Sequence, residues 1–521
     1  MIFLKYCLIL LFNCITFNEA YKILGVFASS STSHTMLGKE LLKTLAEHGH
    51  EVTMISTSPL TTPMKNYRDI VVKADLKKEY LSRTGNENYF KLSQSFGLNS
   101  VFNLFKSGIE ISEIIVKDEN VQKLLNSNEH FDAVIVVTFV YDALYAIANH
   151  FNAPLIVYAQ AGPTAFVNDM VGNPNNYAYV PEWFLGFTDR MTFKQRAINT
   201  ISSLFFEVIK HLYYYPQQNE LTKKLFPNAP DLYTIRTNVS LVLSNSHVSI
   251  RYPRPLVPNI IEIGGHHVKD PKPLPADLQK FMDSAPNGVI YFSLGSNLRS
   301  KDLSPVLRDT ILKVFSKLPQ KILWKWEDAN LPGKPHNVFT QKWFPQSDIL
   351  AHPNLRLFIT HGGWGSTVES ITRGVPVVGI PAIADQHANM RQCQQMGLGV
   401  LLDLKNITEV SFAWAINEVL NNPQYKKEMQ KRAQLFLDRE ISPAKRAVYW
   451  TEYVIRNKGA YHLQSAATHL NLIQIILLDV VGFCVIIVVT IILILFFVSR
   501  YILRKLCKSN SKTIDQKKKQ S

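Results

Sequence analysis

Lys22-Ile-Leu-Gly-Val-Phe27, followed by Ala28-Ser-Ser-Ser-Thr-Ser33 and His34, is the stretch that decides the fold. Its apolar run has the length of a buried strand, and the Ser/Thr loop interrupts it. Met36, Leu37, Leu41, Leu42 and Leu45 then recur at helical spacing until Gly49 stops the helix. Residues 51–56 read as a second strand. Strand, loop, helix and strand in that order open a doubly wound layer, so the fold class is α/β. Further strands are expected at 133–137, 155–158 and 241–243, and the domain they build runs over 21–265.

Prolines at 253, 255, 258, 271, 273 and 275 then mark an extended connection, and 266–285 reads as a linker. Beyond it the rhythm restarts. Gly288-Val-Ile-Tyr-Phe-Ser293 is a strand, and Ser304-Pro305 caps and opens a helix. Strands follow at 322–326, 337–342, 355–360 and 375–380, giving a second α/β domain over 286–445. Two such domains in tandem face a cleft, the default place for a ligand.

The chain has 521 residues, 46% hydrophobic and 19% charged, enough to bury large cores. Near its start, Lys5 precedes an apolar stretch from Tyr6 to Phe17, with the small Ala20 beyond, so 1–20 reads as a signal peptide. Near its end, Val480 to Ser499 is an uncharged run of 20 residues backed by Arg500, Arg504 and Lys505. That predicts a transmembrane helix over 475–499 and a basic cytoplasmic tail over 500–521, with the bulk of the chain lumenal. The formal charge is +15, but the tail holds eight Lys or Arg against one acid, leaving only +8 elsewhere. Nucleic acid is not an expected partner. Between signal and span the only cysteine is Cys393, so no disulfide can form there. Asn238 and Asn406 begin glycosylation triplets.

The densest chemistry lies in 343–386: Trp343, Gln346, His361-Gly362-Gly363-Trp364-Gly365-Ser366, Glu369 and Asp385-Gln386. The glycines follow a strand and open a helix, so backbone N–H groups and the positive helix end can hold a phosphate. His361 and Ser366 add side-chain donors. Trp343 can stack on a planar base, Glu369 suits two ribose hydroxyls, and Asp385 and Gln386 suit a polyol. Base, ribose, phosphate and sugar together describe a nucleotide sugar. The turn Ser293-Leu294-Gly295-Ser296 adds a second loop suited to an anion. His34 stands where the first strand hands over to the first helix, either as a cap or as a base kept neutral by the helix end.

With these motifs in this order, the sequence resembles the UDP-glycosyltransferase family, including UDP-glucuronosyltransferases and their insect relatives. The resemblance covers nearly the whole chain. It implies the two-domain architecture called GT-B, with Rossmann-like halves, an acceptor-binding first domain and a UDP-sugar-binding second one. It also implies that residues 446–474 return as helices to the first domain and approach the membrane. Trp343 and Gln346 would contact uracil, Glu369 the ribose, and His361 and Ser366 the diphosphate, with Gly363 and Gly365 beside it. Ser293, Gly295 and Ser296 would lie on the phosphate side, and Asp385 and Gln386 on the transferred sugar.

His34 would be the general base of an inverting transfer to a small lipophilic alcohol or phenol, in a detoxifying conjugation. The family often places an acid after the Phe131-Asp132 strand, but this sequence has Val137 there. Asp142 is the nearest candidate for the histidine's partner; failing one, a relative that binds without turnover is the rival reading. UDP-glucose is the expected donor and UDP-glucuronate the alternative, which would need a cation near Asp385 and Gln386. No bound cofactor is expected and, with no Asp-x-Asp motif, no metal. Phe96, Phe102, Phe105, Phe166, Tyr177, Tyr179, Trp183, Phe184 and Phe187 wall an acceptor pocket, rest on the membrane or pack the core. Lys518 and Lys519 resemble a dilysine signal for retrieval to the endoplasmic reticulum. The expected partners are the acceptor, the UDP-sugar, a membrane crossed once and, as an open option, a second copy of the chain.

Overall fold

Three of the five residues of Lys22–Val26 (β1) have no exposed surface, which makes it a central strand. The computed structural model describes residues 20–94 and 98–518. The signal reading therefore lies outside the described residues except for Ala20, as do Phe96 and Lys519. β1 is flanked by Glu51–Ser56 (β2) and, beyond it, Tyr67–Val71 (β3). On its other side follow Ala133–Val137 (β4), Leu155–Ala159 (β5), Leu241–Ser244 (β6) and Ile260–Glu262 (β7). The second sheet starts at Val289–Ser293 (β8), with Lys321–Lys325 (β9) and Val338–Gln341 (β10) on one side. Leu355–Thr360 (β11), Val377–Gly379 (β12) and Gly399–Leu401 (β13) lie on the other. Every recorded pairing is parallel.

Each sheet begins in its middle, runs out to one edge and then crosses to the far side of its first strand. That reversal leaves a crevice at the carboxyl ends of β1 and β4, and another at β8 and β11, where doubly wound folds take ligands. Register sharpens the point. Val26 pairs with Val136, and Ser293 with Thr360, so the loops that follow start side by side. The loop before His34 meets Tyr141, His34 itself meets Phe139, and Gly295 meets His361.

The helix Thr32–Glu47 buries Leu37, Leu41, Leu42 and Leu45 in one cluster with Val52, Met54 and Ile135. Late in the chain, Ser442 caps the helix Pro443–Arg456, accepting the Lys445 N–H at 3.3 Å. Its Ala447, Val448 and Val454 enter that same cluster, so the chain returns to the first sheet. Burying Val448 and Val454 contributes about 1.5–3 kcal/mol each. Within the stretch read as linker, Ala276–Asp283 is a helix, because Leu278 and Met282 lie one turn apart and fill the second core.

Residues from Ala466 onward form a separate unit, dominated by the helix Leu478–Lys518. Its segment Leu478–Leu506 has 29 residues and contains an 18-residue stretch with a mean hydropathy of 3.4 and no burial, long and apolar enough to cross a membrane. Lys518 ends the described part of that helix.

Candidate active site

His34 occupies the first turn of Thr32–Glu47, half-buried, with its ring edge-on to Phe139 at 5.3 Å between centroids. Its Nδ1 lies 3.4 Å from Ser29 Oγ, which also accepts the Ser31 N–H at 3.1 Å. Tyr141 fixes the same loop, its hydroxyl meeting Ser30 Oγ at 3.0 Å. Burial lowers the His34 pKa to about 4, so the imidazole is neutral at neutral pH.

The partners of Asp142 in the structure are Arg236 and Tyr214. Asp142 is fully buried, Arg236 Nε lies 2.9 Å from one carboxylate oxygen, and the Tyr214 hydroxyl donates to the other at 3.0 Å. A carboxylate removed from water needs a counter-charge, and Arg236, itself buried, provides it. Burial raises the Asp142 pKa, and Arg236 and Tyr214 oppose the shift. Val137, at the position where the family pattern has its acid, is buried among Phe27, Leu41 and Tyr158.

In the second domain Gly295 has φ +83°, and a Cβ there would stand 2.4 Å from Cε1 of His361. Glycine thus supplies both the left-handed turn and the space for the imidazole. His361 is buried, and its pKa falls to about 4 through burial, with Lys325 adding to the effect. The helix Trp364–Thr372 starts directly afterwards with Gly363 as its cap, so its first N–H groups lack intrahelical acceptors. Ser366 Oγ accepts from the Gln346 amide at 2.9 Å, and the same amide donates to Glu369 at 2.5 Å. Burial raises the Glu369 pKa to about 7. Trp343 leaves its indole 54% exposed, with Lys325 Nζ 5.4 Å from the ring centroid.

Asp385 follows Ala384, a non-glycine residue at φ +54°. It accepts from the Asn389 amide at 2.8 Å, and Asn389 in turn accepts from Arg251 at 3.2 Å. Gln386 uses its carbonyl to accept the Ala382 and Ile383 N–H groups at 2.9 and 3.0 Å.

One cavity of about 360 Å³ gathers His34, Phe139 and Thr138 with Gly295, Ser296, His361, Gly363, Gly365, Ser366, Asp385 and Gln386. Trp343, Gln346 and Glu369 are not among its lining residues; Gln346 reaches it through Ser366, and Glu369 through Gln346. Ser293 is buried behind the loop, its hydroxyl accepting the Gly295 N–H at 3.3 Å. Of the aromatic set, Phe166, Tyr177 and Trp183 line the cavity, whereas Phe105 is core. Asn238 and Asn406 are exposed.

Contacts across the cleft include residues that sequence reasoning missed. The Asn297 amide donates to Ser31 Oγ at 2.9 Å, and Trp364 Nε1 donates to the Asn245 carbonyl at 2.5 Å. The Arg251 guanidinium sits 3.2 Å from the Trp364 ring centroid. Their only sequence signals were an Asn two places after Gly295 and an Arg beside the proline-rich stretch. Among the described residues, one set of potential metal ligands converges, Asp169, Glu207 and His211. The Lys210 ammonium already lies 2.5 and 2.9 Å from the two carboxylates.

Two parallel, doubly wound domains closing on one cleft define a GT-B glycosyltransferase fold. A UDP-glucosyltransferase of Polygonum tinctorium that glucosylates indoxyl superposes with TM-score 0.56 at 16% identity, over 85% of this chain and 100% of that one. The calicheamicin glycosyltransferase CalG4 superposes with TM-score 0.53 at 16% identity, over 84% and 99%. The family model described as "UDP-glucoronosyl and UDP-glucosyl transferase" matches residues 22–513, and the chain belongs to that family. UDP-glycosyltransferase UGT5 of Dactylopius coccus is 37% identical, covering 100% of this chain and 99% of its own. Human UDP-glucuronosyltransferase 1A9 is 31% identical, over 96% and 95%. The protein is thus a glycosyltransferase whose donor is a UDP-sugar.

Proposed function

We propose that the enzyme moves a hexosyl group, glucose first, from its UDP carrier to a hydroxyl of a small lipophilic acceptor, with inversion and with His34 as general base. The observation that carries this reading is the single cavity holding His34 opposite Gly295, His361, Gly363, Ser366 and Asp385. His34 takes the acceptor proton as the acceptor oxygen bonds to the anomeric carbon. The bond from that carbon to the β-phosphate oxygen breaks, and UDP leaves with the electron pair. N–H groups at the start of Trp364–Thr372, together with His361, stabilise the departing diphosphate. Asp385 and Gln386 hold the sugar; Trp343, Gln346 and Glu369 take uracil and ribose. Ser29, in contact with His34, orients the imidazole in place of an acid, and we assign Asp142 to structure.

Phe166, Tyr177 and Trp183 give the acceptor end an apolar wall, which suits phenols and a detoxifying role. The chain is anchored by Leu478–Leu506, and we place it in the endoplasmic reticulum with its catalytic part lumenal. One observation favours UDP-glucuronate as a second donor: Arg251 bonds Asn389, which holds Asp385, and so brings a cation to the sugar end.

The test is turnover by membranes containing the full chain, with each UDP-sugar and a panel of phenols, reading UDP release and conjugate. His34→Ala should abolish conjugate while UDP still binds; full activity in that variant removes the mechanism. Arg251→Gln should lower use of UDP-glucuronate more than use of UDP-glucose if the second donor is the true one.

A further inference from the structure

The helix Phe193–Ile209, capped by Thr192 and continued by the wider turn Lys210–Tyr214, turns a row of apolar side chains outward. Its inner face sets polar groups beside the core residues Phe206 and Ile209. Asn199, Ser203 and Glu207 follow one another at intervals of four, and all are at least nine-tenths buried. Each buried polar group on this face with a recorded partner is bound to neighbouring structure. The Asn199 amide donates to the Tyr177 and Val180 carbonyls at 2.8 and 3.0 Å and accepts the Glu182 N–H at 2.8 Å. Glu207 pairs with the buried Lys210 at 2.9 Å.

The outer face is apolar. Ile198, Ile201, Leu204, Phe205, Val208 and Leu212 are exposed by 38, 69, 42, 48, 52 and 77%. At roughly 100° per residue the five that lie within the helix fall on one arc, opposite Asn199 and Ser203. Phe193 extends the stripe at its first turn, 80% exposed. A helix that faces water shows the reverse pattern, and a contiguous apolar strip of this length marks a contact surface. The only acid between 190 and 212 is the buried Glu207, whereas Arg190, Lys194 and Arg196 are exposed together at one end.

We propose that this stripe is a lipid-docking surface, by which the first domain lies against a bilayer. Apolar side chains in one row with cations at the margin suit the acyl boundary and the headgroup phosphates. The chain also carries its own candidate span, Leu478–Leu506, so a bilayer is always within reach and a modest surface suffices. The docked helix holds, through Asn199, the segment that includes Tyr177, Val180 and Glu182, all of which line the cavity. Docking therefore brings the acceptor wall to the lipid, and lipophilic acceptors reach the cavity from the membrane. This consequence rests on the acceptor reading above; the docking does not.

The full chain is reconstituted in vesicles with or without brominated acyl chains, with Cys484 and Cys507 replaced by serine. An environment-sensitive fluorophore is attached at Val208→Cys or at Val410→Cys, which is 80% exposed on the second domain. The chain without either new cysteine supplies the background. Bromination should quench the label at 208 several-fold more than the label at 410. Equal quenching overturns the proposal. So does protection at 208 that follows the protein-to-lipid ratio rather than bromination, because a second copy would then cover the stripe.

A companion variant, Ile201→Ser with Phe205→Ser and Leu212→Gln, changes only exposed side chains. Its KM for a long-chain alcohol carried in the vesicles should rise, with kcat/KM for a water-soluble phenol unchanged. Strong quenching at 208 with neither constant moved would keep the docking and remove membrane delivery of acceptors.

Discussion

The side-chain amide of Asn297 donates to the hydroxyl of Ser31 at 2.9 Å, joining the loop after β8 to the turn that presents His34. The two halves of the cavity are thus held in register by a bond three residues from the proposed base. Asn297→Ala should lower kcat/KM by about fivefold, the worth of one hydrogen bond near 1 kcal/mol. Steady-state kinetics with a fixed phenol decide it. An unchanged kcat/KM would mean that other contacts alone align the halves.

Asp142→Asn should damage stability rather than chemistry. It leaves the buried Arg236 without its counter-charge, at a cost of about 3–5 kcal/mol. The thermal midpoint should fall sharply while kcat per folded molecule is kept. A loss of kcat at an unchanged midpoint would return Asp142 to the histidine.

The pH profile should separate His34 from an ordinary imidazole. Burial holds its pKa at about 4, so the acid limb of kcat/KM belongs near that value and not near the usual 6.5. Stability has the same sign. His266 and His361 are buried, with pKa values of about 4, so between pH 6.5 and 4 the unfolded chain binds more protons than the folded one. Their stabilising contribution is complete above 6.5 and is lost as pH falls through that window. Thermal midpoints measured from pH 7 to 4.5 should descend steadily; a flat curve contradicts the assignment.

Gly295→Ala should weaken UDP binding by roughly tenfold or more, because a left-handed non-glycine residue alone costs about 1–2 kcal/mol. The added methyl would also press on His361. Titration calorimetry with UDP reads the loss directly, and wild-type affinity in the variant would show that the loop is not a diphosphate contact.

Turnover should be unchanged by a strong chelator. The only convergent ligand set among the described residues, around Lys210, already holds an ammonium group, and in the proposed mechanism helix N–H groups serve the leaving diphosphate. Loss of activity in EDTA that is restored by a divalent cation would refute this.

Much of the fold was legible because strands buried on both faces read as continuous apolar runs. β2, β4 and β11 match their expected limits to the residue. β3, β7 and β13 were not read. Tyr67–Val71 is a partly exposed edge strand carrying Arg68 and Asp69, and the other two have only three residues each. The turn between Leu355–Thr360 and Trp364–Thr372 was legible because closely spaced glycines leave a contiguous trace. The neighbours of His34 were not. Proximity in sequence suggested Asp142, but the nearest cation to that carboxylate lies 94 residues further on, and burial decided its partner. Asn297 and Arg251 act across the cleft, and such contacts have no local signature.

The helix Pro443–Arg456 has a bearing on how this enzyme can be taken apart. Its Ala447, Val448 and Val454 plug the core of the half that was made first, although the whole second half intervenes in the chain. A chimaera spliced only at the proline-rich connection would therefore receive a foreign plug, and the first half expressed by itself would lack one. The transferable module is the first half together with residues 443–460, and recombination between relatives that respects both seams is the kind that should yield folded hybrids.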